Sequence, residues 1–116
     1  MVCAAKYEDE KLLAKHFGWT KLEISDCGLV GVSPDSCRTE IVPMPSKNVD
    51  DCGRLINKMI YEGYTFSSNQ DFSLGFRTIR TEFSKGSVRG YYHGTNFPQS
   101  VTRAAAEAIC QAEFGC

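Results

Sequence analysis

The chain has 116 residues, of which 42% are apolar, 11% aromatic and 23% charged. That is the size and make-up of one ordinary domain with a real core, which excludes wholesale disorder. Apolar runs of only a few residues exclude a bilayer-spanning helix, which needs about 20. A formal net charge of -1 excludes a uniformly basic chain that grips nucleic acid through counterion release. The expectation is a soluble α+β protein forming a single domain over residues 1–116.

The first ten residues carry neither the basic start nor the apolar stretch of a secretory signal. A reducing cytoplasm is therefore the expected compartment, and the six cysteines, Cys3, Cys27, Cys37, Cys52, Cys110 and Cys116, are read as thiols. No Cys-x-x-Cys pair occurs, and the spacing of Cys27, Cys37 and Cys52 supports no zinc site. No metal and no cofactor are expected.

In chain order, Glu8–Phe17 is predicted as a helix through Leu12, Leu13, His16 and Phe17. Gly18 stops it and Trp19, the only tryptophan, folds back as an anchor. Residues 20–48 read as a long irregular stretch broken by glycine and proline, with short strands at Leu29–Val32 and Thr39–Val42. A second helix is capped by Asn48, with Asp50 and Asp51 matching its dipole. Val49, Cys52, Ile56, Met59 and Ile60 form its apolar stripe, Gly53 allows close packing, and Gly63 ends it.

Tyr64–His93 is predicted as an antiparallel meander. The apolar phase set by Phe72, Leu74 and Phe76 changes before Ile79 and Phe83, which suggests a bulge near Gly75. Ser84–Ser87 is a hairpin turn and Val88–His93 the last strand. A third helix starts at an Asn96 cap with Pro98 in its first turn, and buries Val101, Ala105, Ala108, Ile109 and Ala112. The fold class is α+β: an antiparallel β-meander packed with about three α-helices as a sandwich.

Three blocks of this pattern resemble the phage ABA sandwich domain, a family of small bacteriophage and prophage proteins. They are Glu10-Lys11-Leu12-Leu13-Ala14-Lys15 leading to Gly18-Trp19; Pro45-Ser46-Lys47-Asn48-Val49 with Leu55-Ile56-Asn57-Lys58-Met59 and Gly63-Tyr64; and Asn96-Phe97-Pro98-Gln99-Ser100-Val101-Thr102-Arg103-Ala104-Ala105. They come in the family's order and span nearly the whole chain, residues 20–44 being poorly covered. Lys47-Asn48 replaces a usual Thr-Asp, and Asn96 replaces a Thr while keeping a capping side chain. The resemblance implies an antiparallel sheet packed with helices and a phage setting. It carries no active site with it.

Motifs for catalysis are few. His16 reads as a helix-face histidine. His93-Gly94-Thr95 looks like half of a two-histidine phosphodiesterase signature, but His16-Phe17-Gly18 is no second copy. A dyad of His93 with a cysteine is conceivable chemically, with nothing in the spacing to place the pair together. No phosphate loop, nucleophile elbow or His-Glu-x-x-His motif occurs, so no catalytic residue is assigned and the protein is read as a non-enzyme.

Charge is more informative. Residues 1–71 carry 8 basic and 11 acidic side chains, whereas residues 72–116 carry 5 and 3. Within the second stretch Arg77, Arg80, Arg89 and Arg103 are interleaved with Phe83, Tyr91, Tyr92, His93 and Asn96. Arginine forks suit phosphates and aromatic faces suit bases, and the start of the third helix offers N–H groups to an anion. The same residue types also make ordinary solvated strand surfaces and protein interfaces.

These nine residues are taken as the candidate ligand site. Arg77, Arg89 and Arg103 would hold phosphates, Tyr91, Tyr92 or Phe83 would stack a base, and Asn96 would read an edge or cap its helix. From the phage setting, the expected role is counter-defence in the host bacterial cytoplasm. The protein would act as a non-catalytic sponge, sequestering a small nucleotide immune signal as a homo-oligomer with no membrane partner. A protein-binding inhibitor of a host defence complex is the alternative, and a weak nucleic-acid binder the second; a structural role in the virion also fits the setting.

Overall fold

A computed structural model of the chain describes residues 7–26, 28–73 and 75–115. Cys3, Cys27, Leu74 and Cys116, named above, lie outside the described residues, as does the side chain of Phe76. The chain divides into two compact units, one up to Pro43 and one from Met44. Both are α+β, with an antiparallel three-stranded sheet in each. Among the described residues no helix is long and apolar enough to cross a membrane.

The first unit contains α1 (Glu8–His16) and strands β1 (Thr20–Ser25), β2 (Gly28–Val32) and β3 (Thr39–Ile41) in the order β1-β2-β3. About half of the stretch expected to be irregular is thus sheet; the two short strands expected there are β2 and β3, and β1 is a further strand that its polar, exposed residues do not announce. A register shift between Thr20 and Glu23 gives this strand a bulge, with Lys21 at φ 52°. Trp19 is the anchor expected of it: its N–H donates to the Ala14 carbonyl at 2.9 Å, and its ring is buried with Ala14, Leu29 and Val42.

The second unit is built on β4 (Thr65–Ser73), β5 (Phe76–Lys85) and β6 (Val88–Gly94), paired in that order. Two helices, α2 (Val49–Tyr61) and α3 (Phe97–Phe114), pack on one another; α3 lies on β5 and β6, and α2 on β4. Local chemistry sets both starts: Asn48 accepts from the Asp51 N–H at 3.1 Å and Asn96 from the Gln99 N–H at 2.9 Å. Gly63 (φ 101°) ends α2, returning the chain through buried Tyr64 into β4.

Gly75 is not at a bulge. It lies in a two-residue connection between paired Ser73 and Phe76, at φ 82°, so the chain reverses there. Reversal explains the change of apolar phase. Even-numbered residues of β4 and odd-numbered residues of β5 point to the same face, that of the helices. On it Ile79, Thr81 and Phe83 are buried, and Phe66 meets Phe83 at 5.0 Å between ring centroids.

The tightest joint is between α3 and β6. A Cβ at Gly90 would collide with the Ala104 carbonyl oxygen and the Ala108 amide nitrogen, and would lie 2.7 Å from the Ala108 Cβ. Backbone rests on backbone here, which only glycine on the strand and alanine on the helix permit. The buried side of α3 is wider than the sequence stripe: Ser100, Val101, Thr102, Ala104, Ala105, Ala106, Ala108 and Ile109 are buried, whereas Ala112 is exposed. Two expectations for α2 also fail. Val49 and Ile60 are 75% and 50% exposed, and Gly53 approaches nothing within 4 Å. The helix buries only Cys52, Leu55 and Met59, because β4 and the companion helix α3 cover a single narrow side of it.

Two substitutions test this packing. Gly90→Ala should destabilise the protein by about 3 kcal/mol, as overpacking against rigid backbone does. Thr81→Val should be neutral or stabilise by up to about 1 kcal/mol, because the fully buried Thr81 Oγ1 has no hydrogen-bond partner to lose. Urea unfolding of the two variants checks both.

Candidate functional site

Strand pairing sorts the nine candidate residues. On β5 and β6, Arg80 lies opposite His93, Glu82 opposite Tyr91, and Ser84 opposite Arg89. All six turn to the face away from the helices, together with Thr65, Ser67, Asn69 and Asp71 of β4. This outer face is open: Arg80, Arg89, Tyr91 and His93 are exposed. Four of the nine candidates are thus neighbours on one surface.

The geometry on that face is specific. The Arg80 guanidinium carbon stands 5.1 Å from the centroid of the Tyr91 ring, diagonally across the β5–β6 pair. Such a contact holds an exposed arginine with about 0.5–1 kcal/mol. Beside it, Arg89 Nε pairs with Glu82 Oε2 at 2.8 Å, a surface ion pair of at most about 1 kcal/mol. The charged groups of the face, Arg80 and Arg89 against Asp71 and Glu82, cancel.

The other candidates lie elsewhere. Phe83 is fully buried against Phe66 and forms core. Tyr92 is on the helix side, half-buried, beside Gly94. Arg77 has the helix-side parity, beyond the stretch where β5 pairs with β6. Arg103 is on the exposed side of α3, across the sheet from Tyr91. Asn96 spends its side-chain oxygen on capping α3.

The start of α3 is also a poorer anion cradle than its sequence suggests. Asn96 takes the Gln99 N–H, Pro98 has none, and the Ser100 N–H bonds the Asn96 carbonyl at 2.9 Å. Sequence reasoning missed Glu82, Asp71 and Asn69 as members of the face; a two-residue reversal between Lys85 and Val88 sets Glu82 opposite Tyr91, and one between Ser73 and Phe76 brings in Asn69 and Asp71.

The sheet also separates His93 from two of the thiols. Cys52 is buried in α2 and Cys110 half-buried in α3, both on the helix side, while His93 points out of the other face. Neither forms a dyad with it. Among the described residues no group of three His, Cys, Asp or Glu side chains is placed to hold a metal ion. His16 is half-buried on α1, edge-on to Phe17 at 5.0 Å.

Burial pushes the Cys52 thiol above its ordinary value of 9.0, so it stays protonated at neutral pH. Burial, then Glu62 and Glu113 nearby, raises the Tyr64 hydroxyl above 10.0. Both groups ionise less readily folded than unfolded. Their contribution to stability is complete below about pH 9 and is lost as pH rises through their folded values. The melting temperature should therefore fall above pH 9, and less steeply in Cys52→Ala relative to that variant's own value at pH 7. In native protein, iodoacetamide should label exposed Cys37 well before Cys52.

Comparison with known proteins gives no match: no family model, no curated protein and no solved structure is significantly similar to this chain.

Proposed function

We propose that the protein is a non-catalytic phage accessory factor of counter-defence that binds and sequesters a small nucleotide immune signal of the host, in the host cytoplasm. The observation carrying this reading is the Arg80 guanidinium stacked over Tyr91, with His93 alongside, on an uncovered sheet face. A base stacks on Tyr91 by displacing or sandwiching the guanidinium, and Arg80 and Arg89 meet phosphate oxygens. The phage setting comes from the resemblance of the three sequence blocks, and the ligand class from the chemistry of the face. Arg77, Tyr92, Phe83, Asn96 and Arg103 are not part of this proposed site.

The cancelling charges and the existing Arg89–Glu82 pair favour a second reading, docking on a host defence protein. A flat, balanced face with tyrosine and arginine is a common protein interface.

A thermal-shift series with mono-, di- and cyclic nucleotides separates the two. Ligand at 100 times its dissociation constant should add about 2.7 kcal/mol of stability. Tyr91→Ala should cost about 1–3 kcal/mol of binding and Arg80→Ala a comparable amount, with the folded spectrum intact because both side chains are exposed. No shift with any nucleotide, together with a host protein that copurifies with wild type but not with Tyr91→Ala, would overturn the first reading in favour of the second.

A further inference from the structure

Three unexplained exposures lie along one side of the second unit. The first is the free edge of β4, nine residues paired with β5 in an unbroken register and with no second neighbour among the described strands. Thr65–Ser73 contains no lysine, no proline and no bulge, the devices that usually blunt such an edge. The opposite edge is treated differently: on β6 the Arg89 N–H is taken by Gln111 Oε1 at 2.8 Å. The second is Phe72, 78% exposed on β4. The third is the helical stripe Val49, Gly53, Ile56 and Ile60 on α2, with two residues at least half exposed and open space at Gly53.

We propose that this side binds a second copy of the chain through a two-fold axis at Asn69, joining β4 to β4 antiparallel and α2 to α2. The two-residue connection after Ser73 makes Ser73–Phe76 a hydrogen-bonded pair, so odd-numbered residues of β4 bond to β5. Phe66, Ser68, Gln70 and Phe72 then turn their backbone N–H and C=O groups to the free edge. Antiparallel self-pairing centred on Asn69 overlaps all nine residues and sets even against even. Ser68 exchanges bonds with Gln70 of the second copy, and Phe66 with Phe72 of the second copy. The exposed Phe72 gains an aromatic cross-strand partner. On the outer face Ser67 meets Asp71 of the second copy, and no like charges oppose.

The same axis serves the helix. α2 lies beside α3 on the β4 side, with Cys52, Leu55 and Met59 turned inward. In a right-handed helix the stripe at 49, 53, 56 and 60 sits about a quarter-turn from those residues, on the side of the free β4 edge. Asn69 is about 13 Å along β4 from Thr65, and the midpoint of Gly53 and Ile56 about 10 Å back along α2 from Tyr61, so both centres lie at similar depth below the Gly63 turn. Two-fold symmetry then sets Val49 against Ile60 of the second copy and Gly53 against Ile56, the glycine leaving room for close approach. The product is a six-stranded sheet with an antiparallel α2 pair on one side. Its other side is a continuous open face, with the two β5 strands about 14 Å apart.

Sedimentation equilibrium without nucleotide tests this independently of the ligand reading. Wild type should form dimers. Ser67→Asp, an exposed position, sets carboxylates against Asp71 at two symmetric sites and should weaken the dimer roughly five- to tenfold. Ser67→Lys should tighten it, and adding Asp71→Lys to Ser67→Asp should restore it. Ile60→Glu should weaken it through the helix arm. The Ser68 and Gln70 amides should exchange more slowly as protein concentration rises. A monomer up to about 1 mM, or a dimer indifferent to the Ser67 and Ile60 substitutions, would overturn the proposal.

Discussion

The close seat of α3 on β6 at Gly90 is the constraint from which the rest of the second unit follows. Because the Ala104 carbonyl and Ala108 amide occupy the space of a Cβ, the helix can lie on only one side of the sheet, and at one position along it. That assigns Ile79, Thr81 and Phe83 to the core with Val101, Ala105 and Ile109. Alternation does the remainder: once one face is packed, every second residue of β5 and β6 is committed to the other.

The consequence for function is selective. A sequence dense in arginine and aromatic residues between Arg77 and Arg103 looks like one cluster when read along the chain. Folded, it is two populations on opposite sides of a sheet. Tyr91 and Tyr92 are adjacent in sequence and face opposite ways, as do Arg89 and Gly90. What survives is a smaller group, Arg80, Arg89, Tyr91 and His93, in which each arginine is already held, one by an aromatic ring and one by a carboxylate. Such preset side chains lose less freedom on binding than free ones.

The two long edges of this sheet differ for a related reason. α3 lies along β5 and β6 and its Gln111 reaches the β6 edge, whereas α2 covers β4 with a narrow stripe and leaves its own flank and the strand edge bare. The unit is therefore polarised across the sheet as well as through it, with polar and charged side chains on the open face and unpaired backbone with apolar side chains along one side.

By itself the sequence determined what short-range chemistry decides. The starts of α2 and α3 were legible because Asn48 and Asn96 act on amides three residues away. The Trp19 anchor and the hairpin turn expected at Ser84–Ser87, which falls one residue later between paired Lys85 and Val88, were legible for similar local reasons. Tertiary structure alone decided which apolar positions of α2 are covered, because covering depends on how far α3 extends beside it. It decided that Thr20–Ser25 is a strand, since that strand is held by pairing with β2 rather than by its own side chains. It also decided which arginines and tyrosines share a face. That depends on the register of the β5–β6 pair, set by the two-residue connection between Lys85 and Val88, and a one-residue slip there would turn every β6 side chain to the other face.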